Sequence, residues 1–327
     1  MHTELAGTIT YSIVVPAYCE AGNIGEFHRR LSAAMEPLDG EWELIIVDDR
    51  SIDETFAVVS ELAARDPRVR GLRFARNQGS HTAILCGLHH ARGECAVVLA
   101  ADLEDPPELV PQLVAKWRED KAKIVWGVRG RRLAQTRSTL FFAGAFYFIL
   151  RHVMGMKEMP ASGTDCFLAD RVVLDALARF PERNLNVIAL LLWMGFDQAF
   201  MVYDKQPRHH GSSGWTLAKK IKLAIDSVTS FSYVPIRWMS LIGVGVACGG
   251  FLYAGLVFVM SLFDRVVPGW SSLMFVVLVL GGMQMMMLGI LGEYLWRTLD
   301  EGRRRPRYIV EDTAGKAEPA DLRGGEG

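Results

Sequence analysis

Two long uncharged stretches toward the C-terminal end constrain this chain more than any other feature. One runs from about Met239 to Phe263 and the other from about Val266 to Gly292, each roughly 25 residues without Asp, Glu, Lys or Arg. About 20 apolar residues suffice to cross a bilayer as a helix. Asp264-Arg265 separates the two, with Pro268-Gly269 close behind. The pattern predicts a two-helix transmembrane hairpin. Lys219, Lys220, Lys222 and Arg237 precede it, and Arg297, Arg303, Arg304, Arg305 and Arg307 follow it. The hairpin predicts an inner (plasma) membrane location with the lipid bilayer as partner, and the positive-inside rule puts both termini in the cytoplasm. The alternative is a buried helical hairpin in a soluble protein, although such helices rarely run this long without a charge.

The remaining 235 or so residues before the hairpin are enough for a substantial core. The expected organisation is one large unit over 1–235, the hairpin over 236–297, and a tail over 298–327. From Asp312 onward the tail is rich in Gly, Ala and charge and is expected to be disordered. A net charge of −1 argues against a nucleic-acid surface. Cys19, Cys86, Cys95, Cys166 and Cys248 show no CxxC spacing, so neither a disulfide framework nor a zinc site is indicated. No basic start followed by an apolar run marks a secretory signal.

Short apolar runs alternate with helical spacing through the first 130 residues. Tyr11–Pro16, Trp42–Val47, Val69–Phe74 and Cys95–Ala100 read as buried strands, with Lys123–Gly127 as a fifth. Ala21–Met35, Ile52–Ala64, Ser80–Ala91 and Pro107–Glu119 read as helices. This alternation predicts an α/β fold with a mostly parallel central sheet covered on both faces. Ligands of such sheets bind beyond the carboxyl ends of the strands. The chemistry is therefore expected at Pro16–Glu20, Asp48–Ser51, Arg76–Gly79 and Ala101–Asp105. Thr139–Leu150 is apolar, too short to span, and bracketed by Arg137 and Arg151. It reads equally as an interfacial helix or a core helix.

Two acidic clusters stand out. Asp48-Asp49 ends the second strand, where carboxylates can accept hydrogen bonds from a ribose or base. Two solvated loop acids are the plainer reading. Asp102, Glu104 and Asp105 follow the fourth strand and can place oxygens around one hard divalent cation, Mg²⁺ or Mn²⁺. An acidic first turn of a helix would look the same.

Taken together, these segments resemble one family. VVPAYCE resembles the opening strand and loop of family 2 glycosyltransferases of the GT-A fold. VDDRS resembles their nucleotide-binding VDDGS, with Arg50 in place of Gly. ARNQGSHTAILCGL resembles the next loop and helix, and AADLEDPPEL the DxD segment commonly written DADLQDPPEL. Further on, GTDCFLADRVVLDAL, FPERN, GSSGWTLAKKIKLAIDSVTSFSYVPIR and LGILGEYLWRTLDEGRRRPRYIV are similar to the polyprenyl-phosphate glycosyltransferases, the dolichol-phosphate-mannose-synthase-like group. The likeness covers about residues 10–310.

The resemblance implies a GT-A domain followed by interfacial helices and the hairpin. It implies transfer of a glycosyl group, with inversion, from a nucleotide-diphosphate sugar to polyprenyl phosphate, assisted by Mg²⁺ or Mn²⁺. Homo-oligomers are common among such proteins. By motif position, Pro16, Ala17, Tyr18, Glu20, Asp48, Asp49, Arg76, Ala101 and Asp102 correspond to the nucleotide-sugar site. Asp102 corresponds to the metal ligand, with Glu104 as a second. Arg129 and Arg137 correspond to lipid-phosphate contacts, and Asp165 to an acid near the sugar. Asp102, Asp165, Arg129 and Arg137 form the implied catalytic set. Two departures stand against the pattern. Ala100 replaces the first Asp of the DxD, and Cys166-Phe167-Leu168 replaces Phe-Arg-Leu. Ala100 is the feature that favours a second reading, a non-catalytic protein that binds nucleotide sugar or lipid. A processive polysaccharide synthase is disfavoured by the lack of a QxxRW motif.

Overall fold

The computed structural model describes residues 9–130, 164–180, 186–206, 234–261, 269–303 and 305–315. The chain forms two compact units, Met1–Ser227 with Arg305–Gly327, and Val228–Arg304.

The first unit is built on an eight-stranded sheet: β1 (Ile9–Ala17), β2 (Glu41–Asp48), β3 (Val69–Phe74), β4 (Cys95–Val98), β5 (Ile124–Arg129), β6 (Thr164–Asp170), β7 (Gln198–Tyr203) and β8 (Val310–Ala314). Their order is β7-β5-β6-β4-β1-β2-β3-β8. β1 pairs in parallel with β2 and β4, β2 with β3, and β5 with β7. β6 runs antiparallel to β4 and β5, and β8 antiparallel to β3. The sheet is thus mixed rather than mostly parallel. The difference lies in β6 and β8, two strands outside the regular strand–helix alternation.

Helices α1 (Ala21–Met35), α2 (Thr55–Arg65), α3 (Ser80–His90) and α4 (Leu109–Asp120) lie between the parallel strands. Shorter helices α5 (Arg171–Leu177) and α6 (Val187–Trp193) follow β6. The Asp170 carboxylate caps α5 by accepting the Val172 N–H at 3.0 Å, and Asn186 Oδ1 caps α6 through the Ala189 N–H at 3.2 Å.

Side chains alternate across a strand. In β1, Tyr11, Ile13, Val15 and Ala17 join one buried cluster with Phe27 and Leu31 of α1, Val59 of α2 and Leu113 of α4. Val14 faces the other way, against α3. There Gly87 comes so close to the Val14 side chain that an added Cβ would overlap it. Full burial of each large aliphatic or aromatic side chain stabilises the unit by about 1.5–3 kcal/mol.

The far end of the sheet from the strand exits is held by Glu43, which is 1% exposed. Its carboxylate accepts from Ser12 Oγ at 2.8 Å, the Arg92 N–H at 2.8 Å and Arg70 Nη1 at 3.0 Å. Burial would raise the Glu43 pKa, but the hydrogen bonds from Arg92 and Ser12 and the Arg70 charge outweigh it and bring the pKa below its usual value.

The second unit contains α7 (Val234–Ser261) and α8 (Trp270–Gly302), helices of 28 and 33 residues. Large apolar side chains, Phe251, Leu252 and Leu295 among them, are exposed on them. Among the described residues, however, no helix is long and apolar enough to cross a membrane. In α8, Gly281, Gly282, Gln284, Gly289, Gly292 and Glu293 dilute the apolar side chains. This overturns the expected transmembrane hairpin with spans at 239–263 and 266–292. The multi-pass inner-membrane location with cytoplasmic termini rested on that hairpin and falls with it. The expected interfacial segment Thr139–Leu150 lies outside the described residues.

The tail is also corrected. Val310–Ala314 is a strand, so order continues past Asp312. Apolar content was a poor guide here, because a short edge strand needs little side-chain burial once its backbone is paired.

One stability prediction follows from the α3–β1 contact. Gly87→Ala is expected to cost about 1–3 kcal/mol by overpacking against Val14. Urea unfolding should show a lower midpoint with an unchanged slope; an unchanged midpoint would mean that α3 shifts freely on the sheet.

Candidate functional site

The exits of β1, β2 and β4 lie side by side because β1 pairs with both neighbours in parallel. At the β1 exit, Pro16 is partly buried, Ala17 is buried and Tyr18 is half-exposed. Cys19 adopts φ 58°, and its N–H donates to Ser51 Oγ at 2.9 Å. The Glu20 N–H donates to Thr55 Oγ1 at 2.8 Å, and its carboxylate accepts from Asn23 Nδ2 at 2.5 Å. The Cys19 and Glu20 N–H bonds join the β1 loop to the segment after β2.

The paired acids of the β2 exit are buried and engaged by protein groups. Asp48 accepts the Ser51 N–H on Oδ1 at 3.0 Å, and Arg73 Nε lies 3.3 Å from its Oδ2. Asp49 accepts the Gln78 N–H at 2.6 Å on one oxygen and the Gly79 N–H at 2.8 Å on the other. The Asp49 carbonyl accepts from Asn77 Nδ2 at 3.0 Å. Asp49 therefore clamps the loop that opens α3, with Arg76 exposed on that loop. Burial pushes the Asp49 carboxyl up to about 6, the Gln78 and Gly79 N–H groups oppose the rise, and the neighbouring Asp48 charge adds to it.

After β4, Ala101 and Asp102 are buried, and Leu103 takes φ 61° to turn the chain. Asp102 Oδ1 accepts the Glu104 N–H at 3.1 Å. Glu104 and Asp105 share a cation that the sequence did not reveal. Lys205 Nζ lies 3.0 Å from Glu104 Oε2 and 3.4 Å from Asp105 Oδ1. The Tyr203 hydroxyl donates to Asp105 Oδ1, and the Gln206 N–H donates to the Glu104 carbonyl at 2.9 Å. Burial, reinforced by Cys166 and Asp105, holds the Tyr203 phenol well above its ordinary pKa. Lys205 and Tyr203 lie about a hundred residues away along the chain, and no motif marks either one.

The remaining implied residues are placed by backbone register. β6 runs antiparallel to β4, so its first residues, Thr164 and Asp165, lie at the end where β4 exits. β5 pairs Val128 with Thr164, which brings Arg129 to the same end. Arg137 lies outside the described residues. The sheet thus gathers Pro16, Ala17, Tyr18, Glu20, Asp48, Asp49, Ala101, Asp102, Arg129 and Asp165 along one edge.

The expected Mg²⁺ or Mn²⁺ can be tested against this geometry. Among the described residues, no group of three or more His, Cys, Asp or Glu is arranged to hold an ion. With Glu104 paired to Lys205, the donor set fits a cation that takes most of its ligands from a diphosphate and water, with Asp102 as the protein carboxylate. It does not fit a protein cage.

The chain matches the model of the family "Glycosyl transferase family 2" over residues 12–177. It is 37% identical over 308 residues to an uncharacterised glycosyltransferase of Bacillus subtilis strain 168, a match covering 94% of this chain and 95% of that protein. It is 34% identical over 301 residues to a prophage bactoprenol glucosyl transferase homolog of Escherichia coli K12, covering 92% of this chain and 98% of the relative. A bactoprenol glucosyl transferase of Shigella phage SfV is 34% identical over 302 residues, with the same coverage of 92% and 98%. The chain belongs to glycosyl transferase family 2, and it is a glycosyltransferase. The non-catalytic reading raised by Ala100 is thereby set aside.

The raised Asp49 pKa carries a sign. The folded state binds the Asp49 proton more tightly than the unfolded chain, whose Asp titrates near ~3.9. The contribution of this group to stability is therefore greatest below about pH 4 and is lost as pH rises toward about 6. The loss should not exceed about 3 kcal/mol. Asp49→Asn should flatten that slope in urea unfolding between those pH values. An identical slope in the variant would show that another group titrates there.

Proposed function

We propose that the chain transfers a glycosyl group, with inversion, from a nucleotide-diphosphate sugar to polyprenyl phosphate. The observation that carries this reading is the similarity over nine-tenths of the chain to proteins named bactoprenol glucosyl transferases. The buried Asp102 at the β4 exit is consistent with it.

In this reading the β1 and β2 loops, with Pro16, Ala17, Tyr18, Glu20, Asp48 and Asp49, form the bed for the nucleotide. Because Asp48 and Asp49 are held by protein groups, their part is to shape that bed and present its backbone. Arg76 and Ala101 border it. The acceptor phosphate is already anionic near neutral pH, so no strong base is needed to make it a nucleophile. The demanding part is the negative charge that builds on the departing diphosphate. A divalent cation would neutralise that charge when bound. Asp102 would hold the cation, with Glu104 available once it parts from Lys205. The Lys205 ammonium would then lie beside the same diphosphate. Arg129 and Arg137 would grip the acceptor phosphate through the guanidinium fork, and Asp165 would border the sugar.

Transfer from a radiolabelled nucleotide sugar into organic-extractable lipid tests the reaction. Asp102→Ala is expected to abolish transfer, by 100-fold or more on the scale of about 2.7–4 kcal/mol for loss of a charge-stabilising group, while the far-ultraviolet dichroism stays unchanged. Wild-type rates in this variant, or in excess chelator, would remove the metal role.

The acceptor site makes a separate demand. Arg129→Ala or Arg137→Ala should lower kcat/KM for the lipid by about 10- to 150-fold, with a much smaller change for the nucleotide sugar. Lys should rescue only in part. Equal losses for both substrates would reassign the arginine to the diphosphate or to the fold.

A further inference from the structure

The chain re-enters the α/β unit at Arg305 and is anchored there at once. Tyr308 is buried and stacks on Phe74, with ring centroids 5.4 Å apart and planes 19° from parallel. The Ala75 N–H donates to the Ile309 carbonyl at 2.9 Å. β8 then pairs along β3 from Phe74↔Val310 to Gly71↔Ala314. At Gly71 a Cβ would press against Val59 and sit 3.1 Å from the Ala314 Cβ. β3 is thus fitted to carry this strand.

Beside β8 runs the loop that leaves β2. Arg50 in that loop adopts φ 61°, a conformation that suits glycine. Its guanidinium forms an ion pair with Glu311 of β8. On its inner side the loop is fixed by the Cys19 N–H to Ser51 Oγ bond at 2.9 Å, and Arg73 Nη2 donates to the Ser51 carbonyl at 3.3 Å. The Arg50–Glu311 pair is the matching anchor on the outer side.

We propose that Glu311 is a positioning residue for the nucleotide site: through Arg50 it holds the Asp48–Ser51 loop in its binding shape from the chain's own C-terminal strand. The proposal rests on the donor reading above and adds to it a residue far from every nucleotide-binding motif. It also accounts for Arg where the resembling segments carry Gly. A glycine needs no anchor to hold a positive φ, whereas an arginine does.

Two measurements test it on the full chain. Amide hydrogen exchange reports the loop, and calorimetric titration with UDP, GDP and dTDP in the presence of Mn²⁺ reports the nucleotide site. Glu311→Gln is expected to speed exchange over residues 48–53, leave β4 unchanged, and weaken the tightest nucleotide by about 2- to 5-fold, the scale of a partly exposed ion pair. Arg50→Gly should stay closer to wild type than Arg50→Ala, because Gly tolerates the backbone angle. Adding Glu311→Gln to Arg50→Gly should change nothing further. The charge swap Arg50→Glu with Glu311→Arg should recover part of the loss. Unchanged exchange over 48–53 in Glu311→Gln would overturn the anchor. Faster exchange with unaltered nucleotide affinity would overturn its positioning role. A wild-type protein indifferent to all three nucleotides would instead overturn the donor reading on which the role rests.

Discussion

Everything at the candidate site depends on the parallel pairing of β1 with β2 on one side and β4 on the other. Parallel neighbours end at the same edge, so three exit loops from distant parts of the sequence converge. β1 carries alternating buried side chains on both faces, and α1, α2 and α4 pack on one face while α3 packs on the other. The helices fix the strands, and the strands fix the loops. The Glu43 cluster with Ser12, Arg70 and Arg92 ties the opposite end, where an unpaired buried carboxylate would be costly.

The acids at the site divide by what their oxygens already do. Asp48 and Asp49 are occupied by Ser51, Arg73, Gln78 and Gly79, and so organise loops. Glu104 and Asp105 are balanced by Lys205, and Asp105 also by Tyr203. Such balanced pairs keep a dense set of carboxylates tolerable where water is scarce, and they link the β4 exit to the segment leaving β7. Asp102 accepts the Glu104 N–H within its own turn.

The strand–helix alternation through residue 130 was legible because each buried strand is a compact apolar run and each helix has an amphipathic spacing. Val69–Phe74 and Ala21–Met35 match the observed elements at both ends, and the others shift by a few residues. β7 and β8 were not legible. Their side chains are largely exposed or mixed, and their pairing comes from the backbone of β5 and β3. The strand exits were readable because they follow contiguous motif segments. Lys205 and Tyr203 were not readable, because a partner about a hundred residues away leaves no local pattern. Most of each apolar stretch lies in α7 or α8, but among the described residues no helix is long and apolar enough to cross a membrane.

Sequence by itself determined the α/β alternation, the four exit loops, and the residue types at them. It also carried the family, since VDDRS and AADLEDPPEL are contiguous and their chemistry is local. Only the tertiary structure decided which carboxylates are already engaged, that Arg129 and Asp165 share an edge with Asp102, and that the C-terminal strand returns to the β2 exit loop through Glu311 and Arg50. The physical reason is one of range. Backbone propensity and apolar periodicity act over a few residues, whereas hydrogen bonds and ion pairs join whatever side chains the sheet order brings within about 3 Å.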